Sequence, residues 1–202
     1  MRWWGRLSAM LDEGRGTPVA LGLALLSAFG VASAITMLFW AARGVMDLGG
    51  FVAEGGPYEI AHPAPDWVWV APVSIWVGML FGGLNMAVAH AAHGPSLLGP
   101  AWSGLFLSLG WNFVEYGLQP PGGGIAWGWL VCAAAFIPMG AVPLWWMWRG
   151  FLAARNGTSG PAGPLTSGAD SPRASAWIAT YGIGIVAGVV FATWAFWQLA
   201  YV

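Results

Sequence analysis

Charge is what this sequence has least of. Only 7% of its 202 residues are charged, against roughly a quarter in an average soluble domain. So few ionisable side chains cannot cover a water-facing surface, which excludes an ordinary soluble domain and makes lipid the solvent for most of the chain. Lysine is absent, and all 7 basic residues are arginine, a compositional bias that carries no functional meaning. The formal net charge of −1 argues against nucleic acid as a partner, because such binding draws on clustered positive charge.

Reactive sets are equally scarce. The single cysteine, Cys132, lies in the middle of an apolar segment, so no internal disulfide forms and cysteine usage does not reveal the redox compartment. No histidine lies at its depth, so neither a Cys-His nor a Ser-His-Asp arrangement can be assembled. The glycines from Gly122 to Gly124 lead into an apolar run without the Lys-Ser/Thr of a phosphate-binding loop, and the H-E-x-x-H zinc pattern is missing. The sequence assigns no catalytic residue and no metal.

Hydrophobic residues, by contrast, make up 58% of the chain. They fall in continuous stretches of the length a helix needs to cross roughly 30 Å of hydrocarbon. A barrel strand would alternate apolar and polar positions instead. The expected fold is an all-α integral membrane protein, a bundle of about five transmembrane helices with a short N-terminal interfacial helix. Residues 1–17 form a cytoplasmic interfacial segment, in which Trp3, Trp4, Leu7, Met10 and Leu11 recur at helical spacing between charged residues; a charged tail is the alternative. Residues 18–152 hold four spans, near Pro18–Ala42, Trp67–Ala91, Leu98–Leu118 and Ile125–Trp148, with an outer loop at 44–66. Residues 153–175 are rich in Gly, Ser and Pro and read as a flexible cytoplasmic linker, and 176–202 form the fifth span. Ala32-Ser33-Ala34 resembles a signal-peptidase site. The apolar run continues past it from Ile35 to Trp40, beyond the usual secretory core, and favours an uncleaved anchor. Pro138, well inside the fourth span, predicts a kink.

The arginines set the orientation. Arg2, Arg6 and Arg15 precede the first span, and Arg149, Arg155 and Arg173 flank the linker; with five spans both regions lie on one side, and only Arg43 lies on the other. The positive-inside rule places the arginine-rich side in the cytoplasm, the N-terminus inside and the C-terminus outside, in a bacterial cytoplasmic (inner) membrane. The sequon Asn156-Gly157-Thr158 then falls on the inner face, where it is a chance match. Most of the 16 tryptophans fall near one interface or the other, as an apolar ring with a polar N–H should. Only Trp76 and Trp111 sit deeper.

Candidate sites are few. Glu115 lies inside the third span, with Asn112 one turn before it on the same face, and Arg43 reaches a similar depth on the first span. This set is a polar intramembrane site or an internal ion pair, with Asn85 as a further polar position. His90 and His93 share one face at the inner end of the second span. Two histidines on one helix cannot ligate opposite faces of one haem, and His62 is across the membrane; a lone histidine can still hold a pigment or a shared haem. Partly solvated interfacial histidines are the preferred reading. In the outer loop, Tyr58, Glu59, His62 and Asp66 sit among prolines that favour an ordered cap, an interaction surface rather than a metal site. Gly78 and Gly82, and Gly184 and Gly188, are spaced for close helix packing.

Two functions follow. One is a non-catalytic accessory or scaffold subunit of a larger membrane complex, with a pigment- or quinone-contacting subunit as its variant. Its partners would be the lipid bilayer and a membrane protein or a second copy of the chain. The alternative is a small transporter or channel with a polar site around Glu115 and Asn112, against which stand an odd span number and the absence of visible internal repeats.

Overall fold

The computed structural model describes residues 16–48, 64–92, 94–120, 123–155 and 172–201. These form five helices and no strand: α1 (Gly16–Asp47), α2 (Val70–Ala91), α3 (Leu98–Leu118), α4 (Trp127–Arg155) and α5 (Pro172–Tyr201). The interfacial segment before Gly16, the loop residues Tyr58, Glu59 and His62, the histidine His93 and most of the linker lie outside the described residues.

Among the described residues, α1, α2, α4 and α5 are long and apolar enough to cross a membrane. These four helices suggest a multi-pass membrane protein. The third expected span is the exception. It forms a helix of 21 residues, but Ser103, Ser108, Asn112 and Glu115 interrupt its leucines and lower its hydropathy. The helix ends also extend the sequence reading. α1 runs on through Arg43 to Asp47, because the next helix-breaking pair, Gly49-Gly50, comes only after it. α4 continues as one helix through both Pro138 and Pro143.

α1 is the hub. It packs against α5, α2 and α3, whereas among the described residues α4 packs only against α3. The most apolar stretch of α1 is 50% buried and that of α4 only 11%, so the core of the molecule is α1 itself. Contacts fix the directions. α5 lies parallel to α1, with Gly184 beside Ala28 and Gly188 beside Ala32. α2 is antiparallel to α1, with Gly78 beside Ala34 and Gly44 beside Trp67. α3 and α4 form an antiparallel pair along their length, from Gly99 beside Met147 to Gly117 beside Leu130.

Small residues make these approaches possible. Ala20, Ala24 and Ala28 of α1 are at most 2% exposed. A Cβ added to Gly188 would fall 2.5 Å from the Phe29 carbonyl oxygen, and one on Gly184 would fall 2.8 Å from that of Leu25. Backbones this close gain dispersion contact along the helix pair. Gly140 plays the same part between α4 and α3, since a Cβ there would lie 2.9 Å from the Ser103 carbonyl oxygen. At the Asp47 end, Phe196 is 1% exposed and wedged between Trp40 and Trp67, its ring centroid 5.3 Å from that of Trp67. Gly123 and Gly124, both with positive φ (73° and 81°), occupy a backbone region closed to most side chains and turn the chain between α3 and α4.

Candidate functional site

Two polar clusters interrupt the apolar bundle, one at each end of α1. At the Asp47 end, Arg43 and Glu115 meet in a two-pronged ion pair: Arg43 Nη2 donates to Glu115 Oε1 at 2.6 Å and Nη1 to Oε2 at 2.7 Å. The fork geometry of guanidinium and carboxylate allows both bonds at once. Asn112 lies one turn below Glu115 on α3, is fully buried, and donates from Nδ2 to the Phe39 carbonyl at 3.2 Å. Tyr116 donates from its hydroxyl to the Arg43 carbonyl at 3.4 Å. Arg43 is thus brought together with Glu115, 72 residues away in sequence, and with Asn112. The Asn112 Oδ1 atom is buried without a hydrogen-bond partner, as is the hydroxyl of Ser103, which faces α4 on the other side of the helix.

The second cluster, at the Pro18 end, centres on Asn85, which is 1% exposed. Its Nδ2 donates to Ser27 Oγ at 3.1 Å and to the Tyr181 hydroxyl at 3.2 Å, and its Oδ1 accepts from the Leu97 N–H at 2.8 Å. Ser27 Oγ donates to the Ala24 carbonyl at 2.9 Å, and Tyr181 donates to the Pro95 carbonyl at 2.7 Å. Every donor in this network finds an acceptor. It joins α1, α2, α5 and the turn into α3, so one amide side chain ties four parts of the chain. Comparison of the chain with protein families, curated proteins and solved structures finds no match. Function has to be argued from these groups.

Between the clusters, α2 and α3 both lean on α1 and scarcely touch each other. The space between them is a groove of about 410 Å³, floored by Val31, Ile35 and Leu38 of α1 and walled by Met79 and Met86 of α2 and Leu105 of α3. Gly78, Gly82 and Gly83 line it, and a Cβ added to Gly82 or Gly83 would meet nothing within 4 Å. Gly184 and Gly188 therefore sit at a helix contact, whereas Gly82, at the same spacing from Gly78, faces the groove.

The remaining candidates are separate. His90 is exposed at the end of α2, and Asp66 is exposed just before α2. Among the described residues no three His, Cys, Asp or Glu side chains gather as a metal site. Sequence reasoning noticed Asn85 but not Ser27 or Tyr181. A serine and a tyrosine in apolar runs carry no signal until the fold places them beside an amide.

Proposed function

We propose that this chain is a non-catalytic multi-pass membrane protein that serves as an accessory or scaffold subunit of a larger membrane assembly. The observation that carries this reading is the fate of its polar groups. Arg43 and Glu115 neutralise each other, and both N–H donors and the carbonyl oxygen of Asn85 are engaged within the chain. Between the two clusters α1 presents Val31, Ala34, Ile35 and Leu38, so along this face of α1 apolar side chains separate the ends. Polar side chains spent in this way build a rigid bundle; a conduction route needs them facing a shared aqueous lumen.

Five crossings support the assembly better than four. α3 lies alongside α4 over its length and beside α1 at the Asp47 end, so it occupies the depth of helices that are apolar enough to span. Its polar residues Ser103 and Asn112 are turned inward, 2% and 0% exposed, which removes their cost in lipid. With five alternating helices the arginine distribution puts the N-terminus in the cytoplasm and the Asp47 end outside. Large apolar faces remain for partners: Trp145 and Trp146 on α4, and Ile183, Val186 and Val190 on α5, are each 58% or more exposed.

A second reading, a small transporter with its site at Glu115 and Asn112, draws on one observation, the buried Asn112 Oδ1 without a donor. One experiment separates the two. The full chain is purified in mild detergent after cross-linking in its native membrane and, in parallel, reconstituted into liposomes for solute-flux assays. The subunit reading expects a stoichiometric membrane-protein partner and no flux above empty liposomes. Flux that disappears in Glu115→Gln would overturn it in favour of transport.

A further inference from the structure

We propose that a second copy of this chain docks its α5 on α4, the Trp194 indole of one copy donating to the Ala134 carbonyl of the other. The inference rests on the multi-pass reading above and names a partner for the exposed faces.

α4 and α5 are the edges of the bundle. Among the described residues α4 packs on α3 alone and α5 on α1 alone. Each leaves a seam uncovered. On α4, Trp127, Val131, Ala134, Pro138, Ala141 and Trp145 recur in alternating steps of four and three, the spacing that keeps one face against a partner helix. All but the half-buried Ala141 are exposed. On α5, Ile183, Ala187, Val190 and Trp194 repeat the steps, and all four are exposed.

A hydrogen bond is missing from each seam. Pro138 has no N–H to give the carbonyl four residues before it, that of Ala134. α4 contains no hydroxyl or amide side chain to replace that donor. Ile137 and Gly140 adjoin α3, whereas Ala134 and Pro138 are exposed, and hydrocarbon offers no N–H. Pro143 frees a carbonyl in the same way, and there a tryptophan of the adjoining helix meets it. Trp194 carries the matching group. It is 60% exposed, and among the described residues its indole N–H has no acceptor.

Depth brings donor and acceptor together. Thr193, beside Trp194, bonds to Trp40. Asn112 bonds to the Phe39 carbonyl, and Gly110 lies beside Phe136 and Ile137. Trp194 and the Ala134 carbonyl therefore agree in depth to within about one helical turn. Copies related by rotation about the membrane normal keep their depths, so the donor of one meets the acceptor of the other. Shape agrees as well. Gly184 lies beside Ala28, Ser27 and Leu97 share Asn85, and Gly99 lies beside Met147. The bulky Trp145 of one copy thus stands at the depth of Gly182 in the other, where Val186 and Ala187 line a shallow hollow. Each helix sets a large side chain against a small one.

The test is energy transfer between donor- and acceptor-labelled copies of the full chain in palmitoyl-oleoyl phosphatidylcholine vesicles, diluted stepwise with lipid. The label sits on a cysteine at Gln119, exposed at the end of α3, in a Cys132→Ser background. Wild type should self-associate. Trp194→Phe keeps a ring and removes the donor, and should weaken association about fivefold per contact. Pro138→Ala returns an N–H to the Ala134 carbonyl and should weaken it as much, so the result does not depend on one variant folding. The double variant should lose no more than either. Trp76→Phe, which removes a 70% exposed indole on α2, should associate as wild type does. The proposal is overturned if wild type is monomeric at the highest protein density, as when another subunit or lipid alone covers α4. It is also overturned if the folded variants associate like wild type, or if Trp76→Phe weakens association as much as Trp194→Phe. These outcomes leave the accessory-subunit reading standing, because a different membrane protein satisfies it. Solute flux lost in Glu115→Gln would overturn that reading and leave self-association untouched.

Discussion

The indole N–H of Trp102 donates to the main-chain carbonyl of Met139 at 3.1 Å. In an uninterrupted helix that carbonyl would accept from the residue four positions on, which here is Pro143 and has no N–H. A tryptophan on α3 thus supplies the donor that a proline on α4 withholds. The bond ties α4 to α3 and satisfies a carbonyl that the helix itself leaves without a donor.

Trp102→Phe should therefore destabilise the α3–α4 pair by about 1 kcal/mol, the usual net value of one such hydrogen bond. In a Pro143→Ala background the helix regains its own donor and the same substitution should cost much less. Unfolding in mixed micelles, read for all four members of the cycle, checks this. Equal costs in both backgrounds would dissociate Trp102 from the proline.

Asn85→Leu should cost more, about 2 kcal/mol, because it leaves the Leu97 N–H without its acceptor and removes donors from Ser27 and Tyr181 at once. Tyr181→Phe, which loses the bond to Pro95 and one acceptor for Asn85, should cost about 1 kcal/mol. The two changes should be less than additive in the same unfolding assay, since they dismantle one network.

At the α1–α5 contact, Gly188→Val should separate the helices, because even a Cβ meets the Phe29 carbonyl oxygen and the Ser33 N atom within 3.1 Å. Overpacking of this kind costs about 1–3 kcal/mol. The readout is a bis-maleimide cross-link between cysteines placed at Trp40 and Thr193 in a Cys132→Ser background, positions whose side chains share a hydrogen bond at 3.2 Å. Its yield should fall in Gly188→Val and stay unchanged in Gly104→Ala.

For the ion pair, Arg43→Gln and Glu115→Gln should each lower stability, and the double variant should lose little more than either alone. With side chains 27% and 34% exposed, the coupling should be about 1–2 kcal/mol, between surface pairs and fully buried ones. A double-mutant cycle measures it, and a coupling near zero would mean the pair is incidental.

How much of this is legible in the sequence depends on range. Helix positions follow from hydropathy, a property of neighbours, and the bounds of α3 can be read directly from the sequence. Arg43 and Glu115 are legible as well, because two lone opposite charges at one depth have few other partners. The network around Asn85 is not, since Ser27 and Tyr181 lie 58 and 96 residues from it. Spacing also misleads where it gives a face without saying what stands opposite. Gly78 and Gly82 share the pattern of Gly184 and Gly188, yet Gly82 looks into a groove. The same limit hides Gly110, Gly117 and Gly140, which hold α3 to α4 without a four-residue repeat.

The parallel docking of α5 on α1 has a consequence for biosynthesis. Ser33 meets the Gly188 carbonyl across 155 residues, so α1 is synthesised well before α5, the helix packed against it here, arrives. Throughout that interval the alanine ridge of Ala20, Ala24 and Ala28 is open to any helix diffusing past. A chain truncated before α5 would thus leave this small-residue stripe of α1 uncovered.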